Sequence, residues 1–327
     1  MKARSSPGAS GSPTKRVSAP LPLSVVICTH NPRADFLSAT LAALRRQTLP
    51  LDRWELIIVD NASHPAIAGT FDLSWHPAGR VVVESKLGLT PARLCGIASS
   101  RGETIVFADD DNVLAPTFLS DATTFLAVHP EVGVAGGRVV PRFEAEPPSW
   151  TREFFGNLAL SDHGAAPLVS ESWQDRPHNY PPFAPVGAGL VARRTALEPY
   201  VKLVTSDPHR RTFDRRGRAL TSGGDNDLVM TALESGWRAA YWPQLCLEHI
   251  IPPSRLTREY LARLNYAIAR SWIGVLRLHQ ACPWPSVHSW TVPLRQARAI
   301  FRHQPWRGPT HYVRWRYACG HFAGLAD

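Results

Sequence analysis

Three adjacent carboxylates, Asp109, Asp110 and Asp111, follow the apolar run Ile105-Val106-Phe107. Like charges gathered at the exit of a buried strand are costly unless something positive compensates them. In an extended segment residues i and i+2 point the same way, so Asp109 and Asp111 are expected on one face with Asp110 opposed. Two convergent carboxylates suit a hard divalent cation that keeps some waters and takes its other ligands from substrate phosphates. The plainer alternative is a solvated turn with an Asp as helix cap.

Other residues could join this chemistry. Asp60 closes the run Leu56–Val59 and could accept hydrogen bonds from a base or ribose, or simply start an Asx turn. "GGDNDL" places Asp225 and Asp227 at a helix start, where free N–H groups and the dipole stabilise carboxylates. One reads as the cap and the other as a general base, and the residues do not choose between them. His249 could contact metal or phosphate, or be structural. The glycines of "PVGAGL" let a ligand approach the backbone, or let a strand bend.

The elements that must carry these residues are legible as hydrophobic runs. "LSVVICTHN", "WELIIVDNAS", "RVVVES" and "ETIVFADDD" read as strands, three of them ending in polar residues. Helical patterns lie between, one with Phe36, Leu37, Leu41 and Leu44 on one side, another in "TPARLCGIASSRG" closed by Gly102. Alternating strands and helices argue for a parallel α/β sheet, whose ligands collect beyond the carboxyl ends of the strands. No GxGxxG follows the first strand, so an ordinary dinucleotide site is not expected. Residues 142–183 read as a long irregular loop. Further on, "FAPVGAGLVARRTAL" reads as strand then a helix capped by Thr195, and Leu228, Val229, Ala232 and Leu233 mark an amphipathic helix after Asp225.

Composition bounds the rest. At 327 residues and 44% apolar the chain can bury a full core. It has no run of about 18 apolar residues, so no membrane span is expected. The five cysteines are odd in number and widely spaced, which favours reduced thiols and a cytoplasmic location. Residues 1–20 read as a disordered tail. From Ile251 to Asp327 there are eleven arginines against two acids, which equals the formal +9 of the whole chain. Five tryptophans share that stretch. Arg with Trp suits an anionic membrane surface or another polyanion; the alternative is a helical extension with a solvated basic face.

"SVVICTHN", "ELIIVDNAS", "GLTPARLCGI", "IVFADDDN", "VGAGLVARR", "GGDNDL" and a late His before Arg, in this order, resemble the family 2 glycosyltransferases of the GT-A fold over residues 22 to 255. The fold class that follows is α/β, a Rossmann-related mixed sheet, mostly parallel in its N-terminal half, flanked by helices and followed by a helical extension. The division expected is a catalytic domain at 21–254, with a nucleotide half at 21–112 and an acceptor half at 113–254, then a basic Arg/Trp-rich extension at 255–327.

The resemblance implies that Thr29 and Asn31 surround the nucleotide, that Asp60 binds the base, and that Gly88 and Arg93 lie beside it. Lys86 and Leu94 stand where relatives often have Asn. Asp109 and Asp111 match a DxD pair, Asp111 as direct metal ligand and Asp109 nearer the ribose, with Asp110 between them at the donor. Asp225 matches the acceptor-side base, although Gly224 replaces a common Glu. His249 matches a His that approaches metal or diphosphate. The implied function is inverting transfer, with Mg2+ or Mn2+, from a UDP-, GDP- or dTDP-sugar to a glycan or lipid-linked acceptor in surface polysaccharide or glycolipid assembly. The extension would give peripheral contact with the inner face of the cytoplasmic membrane, and no nucleic acid partner is expected. A metal-dependent nucleotidyltransferase or phosphohydrolase is the competing enzyme; it is disfavoured by the absence of a GxxxxGK[ST] loop. A polyanion- or membrane-binding protein without catalysis is the non-enzymatic alternative.

Overall fold

The computed structural model describes residues 22–327; the tail expected at 1–20 lies outside them. The first strand, β1 (Leu23–Thr29), is followed by α1 (Ala34–Arg45), β2 (Trp54–Asn61), β3 (Gly79–Glu84), α2 (Leu89–Ser99) and β4 (Thr104–Asp109). These four strands are parallel, in the order β3-β2-β1-β4. Val25, Ile27, Leu56, Ile58 and Val106 from alternate positions share one core layer with Leu37, Leu41 and Leu44 of α1. Val26, Ile57, Val59 and Ile105 enter the opposite layer, with Ala92 and Ile97 of α2. Continuous apolar strands arise here because both faces are covered by helices.

Beyond β4 the chain makes β5 (Asn112–Leu114), α3 (Phe118–Val128), β6 (Val132–Gly136), β7 (Val139–Phe143), β8 (Leu168–Val169), β9 (Leu190–Arg193), α4 (Arg194–Ser206), α5 (Gly224–Glu234), β10 (Arg238–Tyr241) and β11 (Leu247–Ile251). The large sheet has eight strands, continuing from β4 through β9, β6 and β10 to β8. β9 runs antiparallel to both β4 and β6, and β8 to β10, so the second half is mixed. A separate three-stranded sheet, β5-β11-β7, closes over the carboxyl end of β4. The mixed α/β sheet flanked by helices is the architecture expected.

The C-terminal region consists of α6 (Arg258–Leu278), α7 (Val292–His303) and α8 (Pro309–Ala326). Leu261 and Leu264 of α6 and Val313 of α8 share an apolar cluster with Phe154, Leu158 and Ile251, which joins these helices to the rest of the fold. Among the described residues no helix is long and apolar enough to cross a membrane. All five cysteines are free thiols.

Four local expectations are corrected. Thr195 lies inside the first turn of α4, where Arg193 holds the cap position without a side-chain cap bond. Neither Asp225 nor Asp227 caps α5; Gly223 occupies that position. α2 ends at Ser99, before Gly102. Gly102 instead passes against β1, where an added Cβ would lie 2.5 Å from the Leu23–Ser24 backbone. The 142–183 segment is also more ordered than a bare loop: Ser149–Leu158 forms 3-10 turns whose Phe154 and Leu158 are buried, and Leu168–Val169 pairs with β10.

Candidate active site

A cavity of about 270 Å³ opens beyond the carboxyl ends of β1, β2 and β4. Thr29 and His30 reach it from the end of β1, Asn61 from β2, and all three acidic residues from the end of β4. Gly88 and Arg93 bound it from the start of α2, Asp225 from α5 and His249 from β11. Asn31 and Asp60 do not line it. Asn31, in the left-handed region at φ 50°, accepts a hydrogen bond from the His64 N–H at 2.7 Å. Asp60 is buried and accepts from the Ser63 and Ile67 N–H groups at 3.1 and 3.0 Å, so its carboxylate holds the loop after β2.

The acidic corner departs from an extended strand. β4 ends at Asp109 and the chain turns through Asp110 and Asp111 into β5, so Asp110 faces the cavity as well and accepts a hydrogen bond from the Thr29 hydroxyl. Asn112 fixes the turn: its Oδ1 accepts from the Asp109 N–H at 2.9 Å and its Nδ2 donates to Asp111 Oδ1 at 3.1 Å. Pairing of His249 with Asn112 across β11 and β5 brings the imidazole to the same corner. Its Nδ1 donates to the Leu158 carbonyl at 2.9 Å, which leaves Nε2 3.3 Å from Asp111 Oδ2.

Arg255 was not anticipated at the site. Its guanidinium lies 3.0 Å from Asp111 Oδ2 and 3.1 Å from His249 Nε2. Burial opposes ionisation of Asp111, but His249 and Arg255 outweigh it and hold the carboxyl at about 2. Burial, with the neighbouring charges of Asp111 and Asp109, pushes Asp110 up to about 7, and burial and Asp111 push Asp109 upward too. Arg255 pairs with Asp111, whereas Asp109 and Asp110 have no ion-pair partner among the described residues. The donors Asp109, Asp111 and His249 Nε2 are the hard oxygen and imidazole type that Mg2+ or Mn2+ accepts, so a dication fits. Among the described residues no three His, Cys, Asp or Glu side chains converge as a closed metal site. An ion here would therefore need ligands from the substrate.

Across the cavity a second charge system surrounds Arg93, which is buried. Its Nη1 is 3.0 Å from Asp225 Oδ1 and 3.1 Å from Asp214 Oδ2. Asp225 Oδ2 also accepts the Gly187 N–H at 2.8 Å. Burial opposes the Asp225 charge, yet Arg93 and that N–H hold its carboxyl below the ordinary range. Asp214 accepts from the Thr90 hydroxyl, Arg93 and the Arg215 N–H, yet burial, aided by Asp225, pushes it up to about 6. Gly187 is required by contact, since a Cβ there would lie 2.5 Å from Arg93 and 3.0 Å from Asp225. Asp227 faces away from the cavity, bonded to Arg210 and to His279 Nε2 at 2.8 Å. Burial drives the Cys28 thiol far up, so this cavity-lining sulfur is no ready nucleophile.

Asp214, Arg215 and Tyr260 also line the cavity and were missed. Asp214 and Arg215 sit in an irregular basic stretch without periodicity. Arg255 did carry a signal, as the Arg after the late His.

The chain matches the model of glycosyl transferase family 2 over residues 24–191, just over half its length. It is 26% identical over 260 residues to an N-acetylglucosaminyltransferase of Sinorhizobium fredii, covering 75% of this chain and 57% of that protein. The chain thus spans little more than half of that relative. Among solved structures, S. aureus TarS 1-349 is similar at 14% identity and a TM-score of 0.49, covering 93% of this chain and 90% of that one. The same protein in complex with UDP gives 15% identity and the same TM-score and coverage. At that distance, what TarS binds remains a property of TarS. The family model, matched across the strands that build the cavity, places this chain in glycosyl transferase family 2.

Proposed function

We propose that the cavity transfers a sugar from a nucleotide-sugar donor to an acceptor hydroxyl with inversion at the anomeric carbon. One observation carries this reading: an acidic corner suited to a cation-bound diphosphate and a separate ionised carboxylate, Asp225, open into the same cavity. Thr29, His30, Asn61, Gly88 and Arg93 surround the nucleotide, and Asp60 and Asn31 hold the loop behind it. Residues 21–112 serve as the nucleotide half and 113–254 as the acceptor half, with Arg255 and Tyr260 contributed by the extension.

Asp111, joined by Asp109 or His249, would hold Mg2+ or Mn2+, which when bound supplies Lewis-acid neutralisation for the leaving diphosphate. Arg255 adds a fixed positive charge at the same corner, useful where charge develops on the departing nucleotide. On the opposite wall Asp225 takes the proton of the acceptor hydroxyl as its oxygen attacks the anomeric carbon. Because Arg93 keeps Asp225 weakly basic, the proton moves as the new C–O bond forms and the hydroxyl becomes acidic. A single displacement from the face opposite the leaving group gives inversion.

The acceptor is a glycan or lipid-linked glycan, and the extension brings the enzyme to a membrane surface. Leu294 and Phe301, both exposed, are seven residues apart and so line one side of α7, and Trp290, also exposed, lies in the 3-10 turn just before it. Arg295, Arg298 and Arg302 are exposed on the same helix. Apolar residues flanked by arginines suit an anionic lipid surface.

The S. fredii relative's name makes an N-acetylglucosaminyl nucleotide the first donor to try. The experiment is a turnover assay over UDP-, GDP- and dTDP-sugars with and without Mn2+. Metal-stimulated release of nucleoside diphosphate with a glycosylated product supports the proposal. Release of inorganic pyrophosphate instead would assign a nucleotidyl transfer.

A further inference from the structure

A second, larger cavity of about 890 Å³ lies between the 209–221 segment, α6 and α8, and the reaction proposed above does not use it. It shares a wall with the catalytic cavity. From one stretch of chain Asp214, Arg215, Gly217 and Ser222 face the catalytic side, while Phe213, Arg218, Leu220 and Thr221 face the other.

The lining combines two chemistries. Arg218, Arg263, Arg270, Arg277 and Arg316 converge on it, with one acid, Asp327. Asp327 is held by Arg270 at 2.6 and 3.0 Å. Arg277 spends its donors on the Gly324 and Leu325 carbonyls and Ser286. Arg218, Arg263 and Arg316 have no carboxylate partner among the described residues. Arg316 lies over the Tyr266 ring at 4.7 Å, which fixes its plane and leaves the donor fork open.

Between these cations the floor is apolar: Phe213, Tyr266, Leu278 and Leu220. Gly274 keeps the floor level, because a Cβ there would lie 2.2 Å from the Phe213 ring. A free phosphate would use only the arginines and leave this surface wet. A molecule with an anionic head and an apolar body covers both.

We propose that this cavity binds the lipid phosphate of a lipid-linked acceptor, with the phosphate on Arg218, Arg263 and Arg316 and the first part of the hydrocarbon on Phe213, Tyr266 and Leu278. This rests on the transferase reading for the role of the ligand as acceptor, though not for its binding. The placement is consistent with the lipid-facing stripe: α8, which carries Arg316, packs against α7 through the Trp315 indole N–H and the Gln296 carbonyl at 3.2 Å. The shared wall gives the bound lipid a route to the reaction, since its glycan has to pass only the 213–222 segment to reach Asp225.

The test is calorimetric titration of the full chain with monomeric dodecyl phosphate, and separately with inorganic phosphate. Dodecyl phosphate is expected to bind roughly tenfold or more tighter than inorganic phosphate. Arg263→Ala with Arg316→Ala should weaken it roughly tenfold, and Leu278→Gln should weaken it with the arginines intact. Donor-nucleotide binding and the circular dichroism spectrum should stay unchanged in each variant, which separates loss of the site from loss of the fold. Equal affinity for the two ligands would overturn the lipid assignment, leaving a plain phosphate site. Unaltered dodecyl phosphate binding in both variants would overturn the site altogether. A chain that binds dodecyl phosphate through these residues yet transfers no sugar would contradict the catalytic proposal while leaving this one standing.

Discussion

Arg255 stands 3.0 Å from the Asp111 carboxylate, so a residue from beyond the last strand supplies a cation at the end of β4. The protein therefore carries a partial internal counter-ion at the corner where a dication is proposed, and the two cations would act on the same carboxylate.

Removing that counter-ion should make the protein depend more on the external one. Arg255→Ala is expected to lower thermal stability, since deleting one partner of a buried pair costs about 3–5 kcal/mol and somewhat less for this part-exposed side chain. The rise in melting temperature on adding Mn2+ should then exceed that of the parent protein. Equal shifts in both would show that Arg255 and the metal do not compete for Asp111.

Asp214 sets a pH dependence opposite to that of an ordinary ion-paired carboxylate. Its folded pKa of about 6 lies above the unfolded value near 3.9, so the folded state holds the extra proton between them. Stability from this group is full below pH ~4 and falls as pH rises through about 6, on the order of 1–3 kcal/mol. Asp214→Asn should flatten that part of the profile in urea titrations at pH 4.5 to 7 (roughly the span of the two pKa values). An unchanged slope would place the proton elsewhere.

Gly224 offers a steric check on the same cluster. A Cβ at this position would lie 2.3 Å from Asp214 Oδ2 and 2.6 Å from its carboxyl carbon. Gly224→Ala should shift Asp214 against Arg93, cutting turnover by roughly tenfold or more with a smaller change in donor binding. Combining it with Asp214→Gly, which vacates the space, should recover part of the stability lost. No recovery would mean that the clash is not the cause.

The exposed side of α7 is open to a direct test. Leu294→Ser with Phe301→Ser should reduce sedimentation with anionic vesicles and leave sugar transfer to a soluble acceptor intact. Each buried CH₂ contributes about 0.8 kcal/mol, so removing these two side chains should lower the partition constant by at least tenfold. Undiminished sedimentation would remove the stripe from any lipid contact.

The first half of the fold was legible because β1, β2 and β4 are buried on both faces and announce themselves as unbroken apolar runs. The cavity position followed, since polar residues at three strand ends of a parallel sheet converge by topology. The sequence could not show that the chain turns after Asp109: an i, i+2 argument assumes extension, while Asn112 bends the backbone and brings Asp110 inward. It could not separate Asp225 from Asp227 either, because both begin the same helix and their partners, Arg93 and His279, come from distant elements. Arg255 was visible as a residue, but its reach to Asp111 depends on β11 pairing with β5, a contact without local pattern. Thr195, and one of Asp225 and Asp227, as caps failed for another reason. Cap-forming side chains were available, but Arg193 and Gly223 took the cap positions.

The central claim is that Asp225 removes the acceptor's proton while the acidic corner holds the donor. Its most direct test is Asp225→Asn, assayed in parallel for Mn2+-dependent donor binding by calorimetry and for single-turnover sugar transfer. The account predicts donor affinity within about threefold of the parent and transfer reduced by 10²-fold or more, roughly the contribution of a positioned base. Transfer that persists at near-parental rate, or affinity and transfer lost together, would contradict it.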